Sequence, residues 1–180
     1  MKAIKFVILG AGLLGLLSFF LPLVKGTING ETLSFSAGDV MKGVDLAQQG
    51  VKQVKDSVTD DISEVAPDAK QSLKDLDDAL DTIKGIVILF FAPSFFLFVI
   101  GGVGALRKKL GRLGGVGALL IGALGAAMSG FVIAVLSDPG VKEVGFGPGL
   151  ALYLLMVGDV AAVVCGLLTL IKPDRGGKFA

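Results

Sequence analysis

Residues 113–136 read LGGVGALLIGALGAAMSGFVIAVL, 24 positions without one ionisable side chain. As an α-helix this stretch would rise about 36 Å, more than the ~30 Å hydrocarbon core of a bilayer. It is therefore read as a membrane span. Three further apolar runs, at roughly 4–24, 85–106 and 148–171, have comparable length, and within all four only Lys5 and Asp159 are ionisable. With 53% hydrophobic residues and a mean hydropathy of +0.79, the chain of 180 residues is too apolar for an ordinary soluble domain. The expected fold class is an all-α membrane protein, a four-transmembrane-helix bundle whose extracytoplasmic segment combines a short β-hairpin with amphipathic helices.

Charge orders these runs. Lys2 and Lys5 lie at the head of the first run; Arg107, Lys108, Lys109 and Arg112 fill the turn between the second and third; Lys172, Arg175 and Lys178 follow the fourth. The segment from Lys25 to Lys84 carries twelve acidic and seven basic residues, and Ser137 to Pro148 holds only Asp138, Lys142 and Glu143. The positive-inside rule then places both termini in the cytoplasm. The resulting order is a first span over 1–24, an extracytoplasmic segment over 25–84, spans at 85–106, 113–136 and 148–171, a cytoplasmic turn at 107–112, an outer loop at 137–147 and a tail at 172–180. A cleaved signal peptide fits the first run poorly. Phe6 to Val24 exceeds the usual apolar core of such peptides, no A-x-A pattern occurs, and Val24-Lys25-Gly26 is a marginal cleavage pattern.

In the outer segment, Asn29-Gly30 sits between two short runs with β-branched or aromatic residues, which predicts a hairpin closed by a type I′ turn. Ser36-Ala37-Gly38-Asp39 predicts a helix start, with Ser36 as N-cap and Asp39 near the positive end of the helix dipole. Val40, Val44, Ala47, Val51, Val54, Val58, Ile62 and Val65 then form one apolar stripe. Pro67 is favoured as the first residue of a second helix, in which Ala69, Leu73, Leu76, Leu80 and Ile83 repeat the pattern directly into the second span. Packing of the two helices on each other is the leading reading of the stripe, ahead of contacts between subunits or with lipid.

Gly10-Ala11-Gly12-Leu13-Leu14-Gly15 matches the dinucleotide-binding pattern G-x-G-x-x-G, but Pro22 and the hairpin leave no βαβ unit to use it. No cofactor is expected. A metal site is disfavoured as well, since there is no histidine and a single cysteine, Cys165. Small residues instead recur every four positions in the third span, at Gly114, Ala118, Gly122, Ala126 and Gly130, and more briefly in the fourth at Gly158, Ala162 and Gly166. Such spacing lets helix backbones approach closely in lipid. These positions are expected to pack helices within one chain or between copies, with Ala123 and Ala127 as a second small edge.

Asp159 is the one ionisable residue near the middle of a span, and an intramembrane carboxylate is a functional candidate by default. No other charged group lies at comparable depth, so the expected role is a neutral side chain hydrogen-bonded to a backbone carbonyl or to Ser129. Pro93 is expected to kink the second span, and the phenylalanines around it to face lipid or neighbouring helices. Arg107, Lys108, Lys109 and Arg112 are expected to set topology and to touch anionic lipid headgroups.

Four spans, cytoplasmic ends and a large first outer loop that opens with a hairpin and contains a helix resemble the layout of tetraspan and claudin-like proteins. The likeness covers topology and carries no diagnostic motif; it implies lateral assembly. The absence of disulfides fits a bacterial inner membrane. The functional expectation is a structural, non-enzymatic membrane protein that self-associates into a homo-oligomer, in the form of a ring enclosing lipid rather than water. Membrane lipid and an extracytoplasmic protein are the other partners considered, and nucleic acid is not among them. The alternatives are a small channel or proton-coupled transporter built on Asp159, and an accessory subunit of a larger membrane complex.

Overall fold

The computed structural model describes residues 3–28, 31–61, 67–107, 110–143 and 145–172. Helix α1 covers Ile4–Leu17 and continues through a 3-10 turn at Ser18–Phe20. Strands β1 (Pro22–Ile28) and β2 (Glu31–Ser36) follow, then helices α2 (Ala37–Asp61), α3 (Pro67–Leu106), α4 (Arg112–Leu136) and the short α5 (Pro139–Glu143), strand β3 (Phe146–Pro148) and helix α6 (Leu150–Ile171). Contacts divide the chain into two compact units, Ala37–Leu89 and the remainder. Among the described residues three helices are long and apolar enough to cross a membrane: Gln71–Leu106 within α3, Arg112–Leu136 and Leu150–Ile171.

The first apolar run departs from its expected extent. Its helix stops at Phe20, because Leu21 precedes Pro22 and takes extended backbone (φ −92°, ψ 156°), as the proline ring disfavours the α region for the residue before it. Residues 22–24 belong to β1 instead of to a span over 4–24. Ile4–Phe20 is thus a shorter apolar helix than the other three.

β1 and β2 form the expected antiparallel hairpin, with Ile28 opposite Glu31 and Thr27 opposite Thr32. The Asn29-Gly30 turn itself lies outside the described residues. The loop over 137–147 contains α5 and leads into β3, which pairs antiparallel with β1 to give the order β2-β1-β3. A three-residue strand carries almost no periodicity, so only its partner makes it visible. Gly145 (φ 85°) turns the chain into β3, and its carbonyl accepts from the Thr27 amide at 2.9 Å. Gly149 donates to the Leu23 carbonyl at 2.7 Å, and a side chain there would collide with the Pro22 carbonyl. The pairing therefore holds the C-terminal end of α1 and the N-terminal end of α6 at one level.

In this larger unit the helices meet through missing side chains. A Cβ on Gly12 would overlap the backbone of Phe98, one on Gly101 the backbone of Leu9, and one on Gly15 the side chain of Ser94, so α1 and the latter part of α3 lie in close contact. Ile8, Leu97, Leu110, Ala118, Ala162 and Cys165 form a joint core. Phe91 is buried edge-on against Phe19, with ring centroids 5.3 Å apart, whereas Phe95 and Phe96 face outward.

The unit of Ala37–Leu89 is a helix pair. Asp39 lies in the first turn of α2, and Pro67 opens α3, which runs unbroken into its apolar part. Val44, Val51 and Leu80 are buried together, flanked by Val40 and Leu73. The stripe thus packs helix on helix, while Ala47, Val54, Leu76 and Ile83 remain exposed. Ile62, Val65 and the junction at Ala66 lie outside the described residues. Lys84 reaches across to both Asp45 and Gln48, and Gln48 also donates to Asp81 at 2.7 Å.

Three substitutions test this packing. Gly122→Leu is expected to lower stability by about 1–3 kcal/mol, because α6 already fills the space beside Gly122. Gly10→Leu, where a Cβ meets nothing within 4 Å, is expected to leave the thermal midpoint of the detergent-purified protein unchanged. In the helix pair, Val51→Asp buries a carboxylate among apolar side chains and is expected to cost on the order of 3 kcal/mol. Faster amide exchange across Ala37–Asp61 would report it.

Candidate functional site

Helices α4 and α6 pack closely on each other, and the buried carboxylate of Asp159 lies in their contact. Residues Gly115, Ala118, Gly122, Gly125 and Ser129 of α4 are buried. Opposite them α6 buries Asp159, Ala162, Gly166 and Thr169. Both series alternate steps of three and four, which keeps a row of side chains on one helix face.

Within the chain, only part of the expected four-residue ladder in α4 meets α6. A step of four turns a helix by about 400°, so each member is rotated ~40° from the last and a strict ladder winds off the contact face. Ala118 and Gly122 lie at its centre and are buried. Gly114 is half-buried, its missing side chain leaving room for Leu110; Ala126 is half-buried; Gly130 meets nothing within 4 Å. Gly115, Gly125 and Ser129 complete the buried row. In α6 all three expected residues are buried. Gly158 stands against Ala11 of α1, Ala162 against Gly122, and Gly166 against Leu119 and Gly115.

Asp159 is 4% exposed. Its carboxyl group occupies the space that a side chain on Gly125 would fill, while its backbone carbonyl lies beside Gly122. Two glycines three residues apart on α4 thus receive one residue of α6. Of the two partners expected for this carboxyl group, a backbone carbonyl or Ser129, the second has its hydroxyl proton engaged elsewhere. Ser129 Oγ donates to the Gly125 carbonyl at 2.9 Å, one turn back in its own helix. Thr169 donates likewise to the Cys165 carbonyl at 2.8 Å, and Ser18 to that of Leu14 at 2.8 Å. Hydroxyls placed among apolar neighbours are satisfied by carbonyls four residues earlier, which removes them as donors to other helices.

One buried carboxylate can hydrogen-bond or exchange a proton, but it cannot supply a coordination shell. Among the described residues no cluster of three His, Cys, Asp or Glu side chains is placed to hold a metal ion. Of the basic residues assigned to headgroups, Arg107 and Arg112 are exposed, and Lys108 and Lys109 lie outside the described residues. Lys5 was not singled out beforehand for a site. Its side chain is buried, lies against Gly104, and places Nζ 5.6 Å from the centroid of the Phe6 ring. A lysine one turn into an apolar helix was the only sequence signal for it.

Asp159→Asn keeps the shape that fits Gly125 and is expected to change stability by less than about 1 kcal/mol, whereas breaking a buried ion pair would cost ~3–5 kcal/mol. Asp159→Lys is too long for the gap and is expected to prevent recovery of folded protein. Thermal unfolding in detergent distinguishes these outcomes. No family model matches the chain, and comparisons with curated proteins and with solved structures return no match, so the reading of this site rests on its own geometry.

Proposed function

We propose that this protein is a structural membrane protein that crosses the bilayer four times and assembles laterally with copies of itself. The observation that carries the proposal is the face of α4 turned away from α6. Ala123, Ala127 and Ala134 are exposed there, and Gly130 has open space where a side chain would stand. Their 4-3-4 spacing keeps them on one face, beside exposed Leu120 and Phe131. One small-residue face of α4 is thus used inside the chain, and a second stays available for close backbone approach by a neighbour, the type of contact that favours helix association in lipid.

A fourth crossing by α1 is supported by its packing along helices that are themselves long enough to span. Gly12 and Gly15 contact α3, and Ala11 contacts Gly158 of α6. The β1–β3 pairing fixes the matching ends of α1 and α6, so α1 shares their depth despite its shorter length. This layout underlies the likeness to tetraspan and claudin-like proteins, and the basic flanks favour cytoplasmic termini in a bacterial inner membrane. In a closed ring, the apolar outer surfaces of α3, α4 and α6 would face any central opening with lipid rather than water.

The second reading, proton or ion movement through Asp159, is favoured by the burial of that carboxylate in α6. The geometry gives it less support, since no file of polar side chains leads to it among the described residues.

Native mass spectrometry in detergent and in nanodiscs tests assembly, and a monomer in both would overturn it. Ala127→Leu combined with Gly130→Leu is expected to convert the oligomer to monomer without lowering the thermal midpoint of the monomer. Liposome flux that Asp159→Asn abolishes would favour the second reading.

A further inference from the structure

Where α3 ends and α4 begins, a crevice of about 350 Å³ opens on the outside of the helices. That volume is at the small end of ligand sites, ~300–1,000 Å³. Val99, Ile100 and Val103 form one wall and Leu113 the other, with Leu110 at the floor. Leu110 is only 3% exposed because Gly104 and Gly114 lack the side chains that would displace it. Two glycines therefore let one leucine sink inward and leave a groove above it.

The groove has a direction. From Val99 to Arg107 it follows α3 for eight residues, about 12 Å, apolar throughout until Arg107 lines its end. Arg107 is exposed, and among the described residues no carboxylate pairs with it. The turn from Arg107 to Arg112 contains four cations and no acid. Buried Lys5, which adjoins Gly104 in the same wall, has no acidic partner among the described residues either. An apolar channel ending in unneutralised guanidinium matches a molecule with a long hydrocarbon part and an anionic head.

We propose that this crevice is a binding site for one anionic phospholipid, with an acyl chain lying between α3 and α4 and the phosphate paired with Arg107. A soluble anion would leave Val99, Val103 and Leu113 uncovered at 41%, 42% and 90% exposure, and an apolar peptide would leave the cations unmatched. The phospholipid satisfies both ends in the environment that α3 and α4 are suited to enter. The site rests on the membrane insertion of these two helices and does not require self-association.

The full-length protein, purified in mild detergent, is exchanged into equal mixtures of phosphatidylglycerol and phosphatidylcholine and its retained lipid counted by native mass spectrometry. Phosphatidylglycerol is expected in about fivefold excess, falling to near parity with Arg107→Gln, because each basic residue near a membrane surface adds an attraction of that order for anionic lipid. Gly111 lines the crevice, has φ −74°, and would have nothing within 4 Å of a Cβ, so Gly111→Phe fills the groove without backbone strain. That variant is expected to lose both lipids while keeping the wild-type circular dichroism spectrum. Equal retention of the two lipids by the wild type, or unchanged retention in either variant, overturns the site. A copy of the chain held in the crevice, seen as an oligomer lost in Gly111→Phe with no lipid retained by the wild type, overturns it as well. Carbonate extraction of native membranes reads insertion separately, and native mass of the lipid-free protein reads assembly.

Discussion

The seating of Asp159 against Gly125, with Gly122 beneath its backbone carbonyl, is the constraint on which the larger unit depends. Helices in hydrocarbon gain little from burying apolar surface, since lipid is as apolar as the helix interface. They associate through close packing, and its strength falls steeply with every added ångström. A side chain at either glycine would push α4 away from α6, and the rows at Ala118–Ala162 and Gly115–Gly166 would separate with it. Because α6 also carries Gly158 against Ala11 of α1, one displaced contact would be felt on two sides of that helix.

The polar groups of this unit follow a consistent rule. Ser18, Ser129 and Thr169 each spend the hydroxyl on a carbonyl one turn back, so these three add no hydrogen bond donated to a neighbouring helix. The sheet obeys the same economy at the level of backbone. β1 lies between β2 and β3, and over Val24–Gly26 both of its edges are paired, which joins the ends of α1 and α6. The helix pair of Ala37–Leu89 is held in a different way, by a valine and leucine seam with Lys84, Asp45, Gln48 and Asp81 alongside it. That combination suits contact with water, where burying apolar surface is itself the driving force.

Much of this was legible in the chain because it depends on local chemistry. Three of the four apolar runs became helices long enough to span; the hairpin paired around Asn29-Gly30; Pro67 opened α3 and the stripe of Val44 and Val51 met Leu80. The errors arose where a local pattern had to be combined with distant residues. Hydropathy alone does not register that Pro22 forces Leu21 out of the helix and hands the end of the first run to a strand. Nor does it register β3, whose three residues acquire meaning only beside Val24, Lys25 and Gly26.

The sequence by itself determined which segments are apolar enough to leave water, where their charges accumulate, and that small residues would let helices come close. These properties follow from composition and spacing along one chain. Only the tertiary structure decided which small residues meet. A repeat of four drifts around a helix, so Ala118 and Gly122 of the ladder are buried and Gly115, Gly125 and Ser129 complete the buried row. The partner of Asp159 was settled in the same way. Its neighbour is the absence of a side chain at Gly125, a vacancy that exists only when two helices far apart in sequence are brought face to face.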